Sequence, residues 1–136
     1  MIESVIAERR VAYVLDASAL LAFLQQEPGA EFIEQVLAHS VMSAVNWTEV
    51  LQRHRSRGIP SGSLLGELMA LNFSVIEFSA HDAAVAADLF PSTRNLGLSL
   101  GDRACLALGI SLGYTVLTAD RAWKELSLPV KVDVIR

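Results

Sequence analysis

Apolar positions along this chain fall into short blocks whose period switches repeatedly between strand-like and helical. Residues 11–15 (Val-Ala-Tyr-Val-Leu) form an unbroken apolar run, as expected for a strand buried on both faces. Residues 16–26 read as a helix whose inner side is Leu20, Leu21, Phe23 and Leu24. Pro28-Gly29 punctuates the chain, and a second helix over 30–39 carries Phe32, Ile33, Val36 and Leu37 on one stripe. A short strand is predicted at 41–44. In the helix over 45–57, Trp47, Val50, Leu51 and His54 follow i, i+3, i+4, i+7 spacing. Gly58 and Pro60 end it, and a helix over 61–71 turns Leu64, Leu65, Leu68 and Met69 inward. A strand over 73–78 and a helix over 80–90, stopped near Pro91, come next. Ser99 opens a long helix to Gly113, followed by a strand over 114–118, a short helix over 121–126 and a last strand over 130–135. This alternation predicts an α/β sandwich with a mainly parallel sheet. No repeat, low-complexity tract or linker interrupts it, so residues 1–136 read as a single domain.

Composition sharpens that picture. The chain is 52% apolar and 19% charged, which excludes disorder, and only 7% aromatic, so the core is built from aliphatic side chains. Cys105 is the only cysteine, which excludes an intramolecular disulfide and a cysteine-based zinc site. Its apolar neighbours Ala104, Leu106 and Leu108 make it a small core residue. His39 and His81 read as surface residues. Arg9-Arg10 ahead of the apolar run superficially resembles an export signal, but Asp16 and Ser18 interrupt that run and it is shorter than the ~20 apolar residues of a membrane span. The expectation is a cytoplasmic protein with no membrane association. The net charge of −4 excludes a generally basic, nucleic-acid-coating protein.

The acids carry the candidate chemistry. In open α/β sheets ligands bind beyond the carboxyl ends of the strands, and three aspartates stand at such places. Asp16 follows the first strand, Asp120 follows the strand over 114–118, and Asp102 opens the helix that Ser99 starts. Glu49, inside the third helix, lies away from the Trp47/Val50/Leu51 stripe and shares a polar side with Asn46 and Arg53. Each acid taken singly also reads as something ordinary: Asp16 and Asp120 as helix caps, Asp102 as half of a capping box with Ser99, Glu49 as a solvated side chain. Taken together, they predict a convergence at one sheet edge. At ~5 Å and an effective dielectric near ~20, each pair of charges repels by roughly 3 kcal/mol, so four gathered acids call for a cation. Oxygen ligands without cysteine or clustered histidine suit Mg2+ or Mn2+ rather than zinc. Removing four acids from 15 leaves 11, equal to the 11 Lys and Arg, so the excess negative charge matches that of the proposed site.

These residues, in this order, resemble the PIN domain, and specifically VapC-type toxins of bacterial toxin–antitoxin pairs. The segments that carry the resemblance begin at Val14 (Val-Leu-Asp-Ala-Ser-Ala-Leu), Ser43 (Ser-Ala-Val-Asn-Trp-Thr-Glu-Val), Leu98 (Leu-Ser-Leu-Gly-Asp-Arg-Ala-Cys-Leu-Ala-Leu) and Leu117 (Leu-Thr-Ala-Asp-Arg-Ala-Trp). The resemblance implies a PIN-like three-layer α/β/α sandwich with a mainly parallel central sheet. It implies that Asp16, Glu49, Asp102 and Asp120 form an acidic quartet holding one or two Mg2+ or Mn2+ ions. Asp16 and Asp102 are the expected direct ligands, and Glu49 and Asp120 complete the shell or hold waters. Thr118 matches a hydroxyl that orients an acid or a water. The implied activity is metal-dependent hydrolysis of an RNA phosphodiester, by in-line attack of water, as the toxin of a toxin–antitoxin pair. The implied partners are a cognate antitoxin protein, an RNA substrate and a second copy of the chain in a homodimer. The N-terminal extension Met1–Arg10 departs from the simplest family pattern.

Arg103 and Arg121 each follow a site acid, Lys124 lies a turn beyond Arg121, and Arg94 precedes the third segment, so these four are expected to contact the RNA backbone. Arg53, His54, Arg55 and Arg57 crowd one helix end, where cations also favour the helix dipole. A phosphoacceptor receiver domain would need an acidic pair after the first strand, and a haloacid-dehalogenase-type phosphatase a second aspartate at position 18; Ala17-Ser18 fits neither. The alternative from a different class is a PIN-like module that mainly binds a partner protein or RNA without cleavage.

Overall fold

Successive strand residues face opposite sides of a sheet, so a strand apolar at consecutive positions must be covered twice. The computed structural model, which describes residues 12–136, shows that arrangement; Val11, Arg9-Arg10 and the rest of the extension lie outside the described residues. Val14, Val41 and Val116 join one buried cluster with Ile76, Leu106 and Trp123. Their neighbours Leu15, Met42 and Leu117 join another with Leu20, Ile33, Val50 and Phe73 on the opposite face. The result is the expected three-layer α/β/α sandwich.

The chain runs β1 (Tyr13–Leu15), α1 (Ala17–Leu24), α2 (Ala30–Val36), a 3-10 turn (Leu37–His39) and β2 (Ser40–Ser43). Helices α3 (Ala44–Ser56) and α4 (Leu64–Ala70) lead to β3 (Ser74–Ile76). Then come α5 (Ala80–Asp88), α6 (Phe90–Thr93), a 3-10 turn (Arg94–Leu96) and α7 (Leu100–Leu112). β4 (Thr115–Thr118), a 3-10 turn (Arg121–Glu125) and β5 (Val132–Val134) close the sequence. All pairings are parallel, in the order β3-β2-β1-β4-β5. Val14 registers with Val41 on one side and with Val116 on the other. The order therefore reverses between β1 and β4, and a crevice at a sheet's carboxyl edge opens at such a switch.

The elements match the hydrophobic pattern, except that Met69 of α4, expected inward, is exposed while Leu68 beside it is buried, and with two further departures. The helix over 80–90 ends at Asp88, and Pro91 opens α6 instead of closing α5. Proline lacks an N–H, which a first helical turn does not use, so it suits a start as well as a stop. The second departure concerns α3. Asn46 is 1% exposed and donates to Gly101 O, so the polar side it shares with half-buried Glu49 packs against α7 at that point and opens to the cleft toward Arg53. Gly109 of α7 marks a close helix–sheet approach, where a Cβ would fall 2.5 Å from Val116 Cγ2.

Candidate active site

Three local devices set the aspartates in place. Asp16 is extended (φ −82°, ψ 175°) and caps α1 through its Oδ1, which accepts from Ala19 N at 2.8 Å. Asp102 and Ser99 form a capping box at α7: Ser99 N donates to Oδ2 at 2.9 Å and Asp102 N to the Ser99 Oγ at 3.1 Å. Asp120 caps the 3-10 turn at residues 121–125, its Oδ1 accepting from Ala122 N at 3.0 Å. The caps read from sequence are all present. They coexist with a common destination, because Asp16, Glu49, Asp102 and Asp120 line one cleft of about 610 Å³ beyond the carboxyl ends of β1 and β4.

Asp16 is the most constrained of the four. Ser18 Oγ donates to its Oδ1 at 2.7 Å, and Thr118 Oγ1 donates to its Oδ2 at 2.5 Å. Ser18 Oγ in turn accepts from Ala119 N, and Thr118 Oγ1 from Asp120 N. Each hydroxyl has one proton, and both are directed at Asp16. Burial nevertheless pushes the Asp16 carboxyl up to about 6, against the pull of those donors and with a further upward push from Asp102. The Glu49 carboxyl is also raised, first by burial, with Asp102 adding and the Asn46 amide opposing. Burial raises the Cys105 thiol well above its ordinary range, and the charges of Asp16, Asp102 and Glu49 push the same way. Cys105 is buried in the core, as expected.

The donor set fits a hard divalent cation. Glu49 Oε1, Asp102 Oδ2 and Asp120 Oδ1 each accept from the protein, whereas Glu49 Oε2, Asp102 Oδ1 and Asp120 Oδ2 accept nothing among the described residues. One oxygen anchors each acid and the other remains for a ligand. Among the described residues, no three acidic, histidine or cysteine side chains close up tightly enough to enclose an ion by themselves.

The basic residues singled out from sequence lie elsewhere. Arg103 donates to Leu98 O at 2.9 Å and stacks over Phe90. Arg121 donates through Nε to Arg136 O, Lys124 borders a groove with Phe32 and Val132, and Arg94 is exposed. Among the described residues, the cations that line the acidic cleft are Arg53 and Arg136. Arg53 forms no ion pair among the described residues, while Arg136 lies 3.4 Å from Glu27 and donates to Pro28 O. Arg53 was legible as the residue one turn beyond Glu49; Arg136 had no local signal.

The sequence profile of the PIN domain matches residues 13–128. No curated protein sequence matches the chain. Among solved structures, the fold is similar to that of a chain in DNA-bound VapBC from Salmonella typhimurium (TM-score 0.71, 13% identity, covering 93% of this chain and 99% of that one). It is similar to a chain of VapBC-1 from nontypeable Haemophilus influenzae (TM-score 0.63, 16% identity, covering 90% and 97%). A third is a toxin–antitoxin complex from Klebsiella pneumoniae (TM-score 0.62, 19% identity, covering 88% and 99%).

Proposed function

From the premise that the chain belongs to the PIN domain family, we propose that it is a Mg2+- or Mn2+-dependent ribonuclease acting as the toxin of a toxin–antitoxin pair. The observation that carries this reading is the convergence of Asp16, Glu49, Asp102 and Asp120 on one cleft. Among the described residues, three of these acids keep a carboxylate oxygen that accepts no hydrogen bond. When bound, the cation supplies neutralising charge beside the scissile phosphate and lowers the pKa of water there.

The protein's own groups do the positioning. Ser18, Thr118 and the Ala19 amide hold Asp16 in one orientation. Because both hydroxyl protons are committed to Asp16, Ser18 and Thr118 act as orienters and not as nucleophiles. Asp102 and Asp120 are fixed by their cap bonds. Arg53 and Arg136, at the cleft, are the proposed contacts for flanking RNA phosphates in place of Arg94, Arg103, Arg121 and Lys124.

The proposed partners are an antitoxin laid along the acidic cleft, offering it a basic side chain, and a second copy of the chain. Phe90, Leu96 and Leu100 are exposed apolar residues within the segment 90–100, which supports a protein-facing surface. Among the described residues no helix is long and apolar enough to cross a membrane; the proposed compartment is the cytoplasm, where the RNA is. The test is an RNA cleavage assay with Mn2+ and with EDTA. Cleavage that requires Mn2+ is expected. RNA binding without cleavage under either condition would overturn the enzymatic reading in favour of a binding module.

A further inference from the structure

Asn46 is a costly residue for its position. It sits in the first half of α3, 1% exposed, and its side-chain Oδ1 is buried with no hydrogen-bond partner among the described residues. Buried polar atoms are nearly always satisfied, so an orphaned acceptor asks what its side chain does in return. Both amide protons are in use: Nδ2 donates to Glu49 Oε1 at 2.9 Å and to Gly101 O at 2.9 Å. Those two partners are acceptors, which fixes the orientation of the amide.

Gly101 completes the arrangement. It lies in the first turn of α7, beside Asp102, and its backbone has no need of glycine's left-handed freedom. A Cβ there would fall 2.5 Å from Glu49 Oε1, 2.9 Å from Glu49 Cδ and 3.1 Å from Glu49 Oε2. The Glu49 carboxylate therefore rests on bare backbone, pinned by an amide that also grips that same backbone.

We propose that Asn46 and Gly101 form a clamp that positions the Glu49 carboxylate against Asp102, fixing across two helices the spacing of two acids that share a divalent cation. Asn46 is thus a positioning residue, and the inference rests on the metal-dependent reading above. Groups that orient ligating side chains typically change metal affinity or activity by about 10–100-fold when removed.

The test is a Mn2+ titration followed by calorimetry or electron paramagnetic resonance, with the melting temperature of the metal-free protein measured alongside. For Asn46→Ala the expected result is a Kd for Mn2+ weakened by about 10–100-fold. The metal-free melting temperature should fall modestly, because Glu49 and Gly101 each lose a hydrogen bond, so Mn2+ affinity measured where the variant is still folded is the deciding readout, and kcat should drop with KM for RNA unchanged. A purely structural asparagine would lower the melting temperature and leave Mn2+ affinity unchanged, and that result overturns the proposal. Gly101→Ala guards against a variant that fails to fold, since alanine is the better helix former. It should weaken Mn2+ binding similarly, and adding Glu49→Asp should recover part of the loss by withdrawing the carboxylate one methylene. Wild-type Mn2+ affinity in Gly101→Ala overturns the clamp alone, whereas a wild-type protein that binds no Mn2+ overturns the metal-dependent reading with it.

Discussion

Two capping boxes in this protein have the same geometry and different surroundings. At α5, Ser79 N donates to Asp82 Oδ2 at 2.9 Å and Asp82 N to Ser79 Oγ at 3.1 Å. At α7, Ser99 and Asp102 repeat both distances. Only Asp102 lines the acidic cleft and raises the carboxyls of Asp16 and Glu49. The difference lies in what the sheet order brings alongside: α7 starts across from Glu49 of α3 and the Asp16 turn after β1. A cap and a candidate ligand are thus one local structure, and remote elements decide which of them it becomes.

The largest effect is expected from Asp16→Asn, at the acid that is both a cap and a cleft residue. Asparagine caps about as well as aspartate, so folding should persist, while RNA cleavage and growth inhibition should disappear. The metal-free variant should be as stable as wild type or more so, because a buried charge is gone. Cleavage at the wild-type rate would reduce Asp16 to a cap. The paired substitutions Asp102→Asn and Asp82→Asn sharpen the contrast directly. The first should slow cleavage by roughly 10²–10³-fold, the size typical of losing one electrostatic contact at a reacting centre. The second should leave the rate unchanged, and equal rates for both would erase the distinction.

A third separation uses pH. The folded Asp16 carboxyl sits near 6, above its ordinary 3.8, so protons favour the folded state. That contribution is complete below about pH 3.8 and is lost as pH rises through 6, amounting to about 3 kcal/mol of metal-free stability. Denaturation midpoints should show this loss in wild type and not in Asp16→Asn, and identical profiles would refute the burial argument. The smallest expected effect concerns the cations. Arg53→Ala should lower the slope of log K for RNA against log salt by about 0.7, one single-strand phosphate contact. Arg94→Ala, away from the cleft, should leave it unaltered, and the opposite pattern would move the RNA path to the other surface.

The acids were legible in the sequence because strand-end and cap positions are local facts, and the switch between β1 and β4 then gathers them. Of the basic residues at the cleft, Arg53 was legible from its place one turn beyond Glu49, but adjacency along a helix is not by itself adjacency in space. Arg103 follows Asp102 but lies ~100° further round α7, where Leu98 O and Phe90 receive it. Asn46 was legible only as part of a polar side, because the helical wheel cannot show that α7 covers it. Arg136 reaches the cleft beside Glu27, a pairing across more than a hundred residues with no periodic signature. Pro91 misled for a different reason, since proline marks a helix start as readily as an end.

The place of β1 at the middle of the sheet also sets when the site comes into being. Asp16 is among the first described residues to be made, yet its Oδ2 partner Thr118 lies 102 residues later, on the strand that flanks β1. At a synthesis rate of about 5–20 residues per second, some 5–20 s separate the two on the ribosome. Until β4 docks, the nascent chain holds Asp16 with Ser18 but without Thr118, and without Asp120 in the cleft. Such pairing between distant segments also folds slowly. A nascent chain therefore carries no assembled cleft near the ribosome that makes it, and a fragment ending before residue 115 should be inert even where Asp16, Glu49 and Asp102 are all intact.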